Sequence, residues 1–410
     1  MTIDKTKTLY KILLHPVLGY LIFLFVMWLT FFCTFQLGNY FMEFMEAGVD
    51  ALGTFAYENI PKGFFNDLVV QGIIGGVGGV IVFLPNIVIL FTFISLITET
   101  GYMTIVAQLM DRVMHVIGLH GKSFIPLIMG FGCNVPAILS TKIIEDKRDR
   151  LITMLIIPFM SCSARLPVYI IIAGTFFPEN ATLVIFCLYL FGIILAMLFA
   201  LLFKKTFNNA NHRPYTVTMP EFHKPKLSTV IRTICFNAGA YLKKMGGIVL
   251  IASVLLWAMM YLPQKDTTKI ENSYIASLGK IIEPVMEPIG FDWKLSVSLM
   301  TGVAAKEIII STLGVLYSDN PETSQDILEK KLKAATHPQN DTEISKPVFT
   351  KPVALSFLIF TLIYFPCTGV FAAVGKESKW KWAVFVVTYT TVAAWILSFA
   401  TYHIANIIFQ

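Results

Sequence analysis

Residues 130–140 read GFGCNVPAILS, and residues 142–150 read KIIEDKRDR. The first stretch lies in a long apolar run, yet it holds two glycines, a proline, a cysteine and an asparagine. Proline removes a backbone donor and glycine lowers the cost of unwinding, so a helix does not run evenly through it. The second stretch carries Lys142, Lys147, Arg148 and Arg150, the mark of a cytoplasmic loop. The preceding span, 68–97, already leads to the cytoplasm. Segment 123–141 is therefore expected to enter the membrane and return on the same side.

Composition supports a membrane setting. The 410 residues are 56% hydrophobic and 14% charged, with a mean hydropathy of +0.69. A soluble domain carries about 25% charged residues. The net charge of +6 suits basic cytoplasmic loops and does not call for a nucleic-acid partner. No n-region, short apolar core and cleavage site open the chain, so 17–37 reads as a retained anchor. The six cysteines, Cys33, Cys133, Cys162, Cys187, Cys235 and Cys367, form no CxxC pair, and no disulfide framework is expected.

About 20 apolar residues cross a bilayer. Spans are expected at 17–37, 68–97, 151–177, 181–203, 246–263, 353–375 and 382–409. Two further apolar segments, 123–141 and 295–316, are interrupted. Lys5, Lys7 and Lys11 place the N-terminus in the cytoplasm, and the acidic, amphipathic stretch 38–67 outside. The loop 204–245 is strongly basic, and so is KESKWKW at 376–382; both belong inside. Segment 295–316 must then dip from the outside.

The expected fold is an all-α polytopic membrane protein, an inverted repeat of two bundles with about seven spans and two re-entrant segments. If both dips cross fully, there are nine spans. The parts are 1–67 (anchor and external segment), 68–203 (first repeat), 204–245 (cytoplasmic linker) and 246–410 (second repeat). Inverted repeats place a substrate site near the midplane, where broken helices meet.

The breaks hold the chemistry. Cys133 offers a thiolate and Asn134 an amide oxygen, flanked by Gly132 and Pro136; the plainer alternatives are a packing residue and a helix cap. PFMSCSARLPVY, 158–169, presents Ser161 and Cys162 between two prolines, with Arg165 suited to bonding freed carbonyls. TGVAAKEIIISTLG, 301–314, sets Lys306 beside Glu307, which could hold a metal ion, take a proton or serve structure. IYFPCTGVFAAVG, 363–375, repeats the pattern at Cys367. Three thiols on interrupted helices suit a soft or borderline metal; their spacing does not choose iron. Cys33 and Cys187 lie mid-span without breakers and read as packing. GLHGKS, 118–123, mimics a phosphate loop, but Val116 stands where that pattern needs glycine. No nucleotide site, HExxH or triad-like spacing is found, so an enzyme is not expected.

LVVQGIIGGVGGVIVFLPNI, ETGYM, MDRVMHVIGLHGKSFIPLIMGFGCNVPAIL, KRDRLITMLIIPFMSCSARLPVY, TGVAAKEIIISTLGVLY and IYFPCTGVFAAV occur in this order. Together they resemble the membrane domain of the bacterial ferrous iron transporter B family, over nearly the whole chain. The resemblance implies Fe2+ uptake across the inner membrane through two gate-type repeats like those of nucleoside transporters. It also implies that Cys133 and Cys367 serve ion passage, with Cys162 as a third thiol. Glu307 and Ser161 are expected to assist, with Arg165 and Lys306 holding the frame. The family carries an N-terminal GTP-binding domain, and this sequence starts about 15 residues before its first apolar stretch. A separate GTPase on the basic linker, a small accessory protein and self-association are the partners considered, besides lipid. Gln71 stands where the family pattern has an aspartate, and Thr98-Glu99 where it has two acids. The rivals are a carrier of an organic solute such as a nucleoside, and a regulatory scaffold.

Overall fold

The computed structural model describes residues 13–207 except Pro16, Lys62 and Phe83, scattered positions of 228–262, residues 273–317 except Ala305 and Glu307, and 349–409. Every regular element among them is helical. The chain divides into two compact units, Met1–Ile157 with Ala196–Leu250, and Pro158–Leu195 with Ile251–Gln410.

The first unit opens with α1, Leu18–Asn59, of 42 residues. At 1.5 Å per residue it is about 63 Å long, twice the hydrocarbon thickness of about 30 Å. The expected anchor 17–37 and the external stretch after it thus share one helix, which ends only where Pro61 forces Ile60 into an extended conformation (φ −96°, ψ 133°).

The expected span 68–97 is not continuous. A π-helix at Leu68–Ile74 leads to α2, Gly75–Val82, and then α3, Leu84–Glu99. The glycine-rich GGVGG favours such interruption. Gly101, at φ +80°, turns the chain by 83° into α4, Tyr102–Val116. Helix α4 buries Met103, Val106, Met110 and Met114 on one face. Val106 and Met110 form a core with Phe23, and Tyr20, Met27, Phe124 and Ile128 pack around it.

Next come two short helices, α5 (Phe124–Gly132) and α6 (Asn134–Ser140), of nine and seven residues. Lys122 Nζ reaches Glu145 Oε1 at 2.7 Å across these helices, so the chain doubles back at Cys133. Helix α7, Lys147–Ile156, follows, capped by the Asp146 carboxylate, which accepts from the backbone of Arg148 and Asp149.

The open end of this hairpin should weaken in acid. The hydrogen bond and charge of Lys122 hold the Glu145 carboxyl below its usual range. Burial holds the His120 imidazole below its usual value, against the opposing pull of Asp111 and Asp149. Both values are lowered in the fold, so the stability they lend is full above the ordinary values and is lost as pH falls through the lowered ones. Hydrogen-exchange protection over 121–145, taken relative to the intrinsic rate at each pH, should fall on acidification, and Glu145→Gln should lower it already at neutral pH.

The second unit is helical as well. After α8 (Leu166–Phe176) and the start of α9 (Ala181–Thr206) come α10 (Tyr274–Met286), α11 (Trp293–Thr301), α12 (Ile308–Tyr317), α13 (Lys351–Ile363), α14 (Thr368–Glu377) and α15 (Trp380–Phe409). Helices α11 and α12 form a second hairpin. Asp292, at the start of α11, accepts the Tyr317 hydroxyl at 2.9 and 3.0 Å, at the end of α12. The Thr301 and Thr312 hydroxyls meet at 2.9 Å. An unbroken helix would hold these eleven positions about 16 Å apart. Ser356 and Ser398 each donate to the other's carbonyl, which lets α13 and α15 approach closely. Phe291 packs edge-on against Phe357 and Phe360 beneath them.

Asp292 has two tasks, since it also caps α11 by accepting from Leu295 N–H at 2.8 Å. Asp292→Ala should cost about 1–3 kcal/mol, and Tyr317→Phe, which removes only the clasp, about 1 kcal/mol. Thermal unfolding in detergent measures both; equal losses would show that the cap contributes nothing.

Among the described residues, five helical stretches are long and apolar enough to cross a membrane, namely α1, α9, α15 and the interrupted pairs α7–α8 and α13–α14, or six if the bent α3–α4 pair counts as one. The expected span 246–263 lies largely outside the described residues.

Candidate functional site

Cys133 sits at the turn between α5 and α6 with an extended backbone, φ −152° and ψ 127°. Its N–H donates to Met129 O at 3.0 Å, and its carbonyl accepts from Ala137 N–H at 3.3 Å. It therefore ends one helix and begins the next. Pro136 falls in the first turn of α6, where a missing N–H costs nothing. Gly132 is buried where an added Cβ would press on the Leu90 side chain of α3. Asn134 does not cap the helix, because Cys133 holds the capping position and no side chain caps it. The Asn134 side chain is 4% exposed, and its Oδ1 is buried without a hydrogen-bond partner. An orphaned buried oxygen is costly unless something else satisfies it.

In the second unit the chain leaves α7 through a 3-10 turn at Ile157–Phe159, runs non-helical over Met160–Cys162, and re-enters a 3-10 turn at Ser163–Arg165. Arg165 is 1% exposed. Its guanidinium donates to Pro158 O at 3.2 Å through both terminal nitrogens and to Met160 O at 3.1 Å. Ser161 Oγ donates to Tyr169 Oη at 3.1 Å. Cys162 is extended (φ −77°, ψ 162°) and half-buried.

The third break, Tyr364–Cys367, separates α13 from α14. Cys367 is half-buried and holds the capping position of α14. Lys306, 2% exposed, donates from Nζ to Phe365 O at 2.8 Å and lies 3.1 Å from the Tyr364 ring centroid. Arg165, Cys367 and Tyr169 are within electrostatic reach of Tyr364, as Cys162, Ser161 and Arg165 are of Tyr189.

Ser161, Cys162, Arg165, Lys306 and Cys367 thus share one region of the second unit, whereas Cys133, Asn134, Gly132 and Pro136 belong to the first. Glu307 lies outside the described residues. Among the described residues no group of three or more His, Cys, Asp or Glu side chains is placed to hold a metal ion. All six cysteines are thiols. Cys33 and Cys187 lie on the continuous helices α1 and α9.

Sequence reasoning passed over Tyr169 and Tyr189, which lie near Cys162, and Tyr364, which lies near Cys367. A signal was present, because a tyrosine inside an apolar helix needs a partner for its hydroxyl.

Comparison with known proteins bears on this arrangement. The family described as "Gate: Nucleoside recognition" matches residues 80–176 and 242–381, which include all three breaks. "Ferrous iron transport protein B C terminus" matches residues 185–236. The chain is 47% identical to the "Fe(2+) transport protein A/Fe(2+) transporter FeoB fusion protein" of Porphyromonas gingivalis, over 98% of the chain and 52% of that protein. It is 43% identical to the "Fe(2+) transporter FeoB" of Campylobacter jejuni, over 99% of the chain and 66% of that protein. For the Staphylococcus aureus protein of the same name the figures are 38%, 97% and 59%. The chain thus spans about half to two thirds of the length of these relatives. No solved structure matches it. With the Gate match over more than half its length and these relatives aligned along nearly all of it, the chain belongs to the ferrous iron transporter B family, whose C-terminal membrane part it matches.

Proposed function

We propose that this chain is a permease module that passes Fe2+ across a bacterial inner membrane through thiol-bearing breaks near the midplane. The observation that carries the reading is a coincidence of chemistry and backbone. Cys133, Cys162 and Cys367 each stand at an interruption, while Cys33 and Cys187 ride on continuous helices. Broken backbone inside a bilayer is tolerated only where protein or water surrounds it, so a thiol there can meet an aqueous ion.

The ligands we assign along the path are Cys133 with Asn134 Oδ1 in the first unit and, separately, Cys162 and Cys367 with Ser161 in the second, and Glu307 beside Lys306 in sequence. Thiolate prefers Fe2+ to Mg2+ and Ca2+. Arg165 and Lys306 hold the carbonyls that the breaks release. Bound metal displaces thiol protons, so uptake should weaken as pH falls.

The hairpins support re-entrant dips, 123–141 from the cytoplasm and 295–316 from outside. Helices α5, α6, α11 and α12 have seven to ten residues each, about 10–15 Å, too short to cross about 30 Å of hydrocarbon. We retain the division into 1–67, repeats 68–203 and 246–410, and a cytoplasmic linker 204–245, with the N-terminus inside. The linker's basic face would receive a GTPase. The fusion named for the Porphyromonas relative supports a small accessory partner.

The description "Nucleoside recognition" favours a second reading, a nucleoside carrier of the same architecture. Proteoliposomes containing the chain separate the two. Under the iron reading, radiolabelled Fe2+ accumulates, excess nucleoside does not compete, and the rate drops on acidification. Uptake of radiolabelled nucleoside with no Fe2+ uptake would overturn it.

A further inference from the structure

We propose that the tip of the α11–α12 hairpin and the α13–α14 break form one mechanical piece, and that Lys306 is the positioning residue that sets how far Cys367 is presented. The bonds between them are numerous and non-local. Lys306 Nζ donates to Phe365 O at 2.8 Å. Thr368 donates twice, from its N–H to Val303 O at 3.1 Å and from Oγ1 to Ala304 O at 3.3 Å. The Tyr364 hydroxyl donates to Leu299 O at 3.2 Å, in the last turn of α11. Phe365 and Thr368 bracket Pro366 and Cys367, so the backbone on both sides of the thiol is anchored to the hairpin.

The break at Cys162 is built differently. Arg165 closes it on itself, through carbonyls five and seven residues away. The Cys367 break is closed by partners 59 to 65 residues away. A movement of the hairpin therefore carries Cys367 with it and leaves Cys162 in place. Lys306 is central to that link, because a charge-assisted bond from a buried ammonium is stronger than a neutral one and the Tyr364 ring beneath it adds a cation–π contact. The meaning for transport rests on the iron reading, but the linkage itself is read from thiol reactivity without iron.

The test uses the full chain in lipid nanodiscs, treated with a water-soluble maleimide, with modification at each cysteine followed by mass spectrometry. Lys306→Met should raise the rate at Cys367 at least about tenfold, the size expected from losing one charged hydrogen bond. The rate at Cys162 should stay unchanged. Thr368→Val should act in the same direction, and keeps the proposal testable if the first variant does not fold. Lys306→Arg should restore the parent rate, since it keeps a donor and a cation over the ring. An unchanged rate at Cys367, an equal rise at Cys162, or no rescue by arginine would overturn the linkage. Iron uptake by the parent chain is measured separately, so failure of the iron reading leaves the thiol result standing.

Discussion

Under the proposed iron function, Cys133→Ser should lower the initial rate of Fe2+ uptake by at least about tenfold, the lower end of what losing even an outer-shell partner costs a metal site. Serine is close in size, and the extended backbone at this position is ordinary for any residue. The bonds to Met129 and Ala137 use only the main chain, so the hairpin should survive the change. What is lost is a soft, ionisable donor, for which a neutral hydroxyl is a poor substitute. Cys33→Ser, on the continuous helix α1, is the control and should leave the rate unchanged. Asn134→Ala sharpens the test. An orphaned buried oxygen costs about 1–3 kcal/mol, so removing it should not lower the melting temperature, yet uptake should fall. If Cys133→Ser and Asn134→Ala both transport at the parent rate, neither side chain is a ligand.

Arg165→Ala should destabilise the chain by about 3–5 kcal/mol, the largest stability effect expected of any single residue here. Two terms add. Truncating a side chain that is 1% exposed leaves a cavity, and the carbonyls of Pro158 and Met160 lose their donors. A third term opposes them, since a buried guanidinium is itself expensive. Arg165→Met separates the contributions, because methionine fills much of the volume and relieves the charge while leaving the carbonyls unsatisfied. Its cost should be smaller, about 1–3 kcal/mol. Thermal unfolding in detergent ranks the two variants. Equal melting temperatures for Arg165→Ala and the parent chain would remove the guanidinium from the account of the break. Both variants should also slow uptake, because Cys162 lies between the carbonyls and the arginine that holds them.

The breaks were legible because their cause is local. Gly130, Gly132 and Pro136 act within one turn of Cys133, and the Pro-Cys pair at 366–367 does the same. The loop charges at 142–150 called for a segment 123–141 that returns to the side it entered from, and the Lys122–Glu145 contact brings its two ends together; that the segment dips into the membrane without spanning it is our proposal. The long α1 was not legible, because the acids after residue 42 looked like the end of a span when they are only its polar continuation. Nor was the interruption of 68–97 legible, since an apolar run does not reveal a π-helical turn inside it.

By itself, the sequence determined an all-helical membrane protein, the breaks at Cys133, Cys162 and Cys367, the residue types at those breaks and the family. Only the tertiary structure decided which breaks share a unit. It set Cys162 and Cys367 together in the second and Cys133 in the first. It also aimed Lys306 at a carbonyl 59 residues away and left the Asn134 oxygen without a partner. Backbone chemistry reaches about one helical turn, whereas the partner of a buried charge is chosen by packing between elements that nothing in the local sequence brings together.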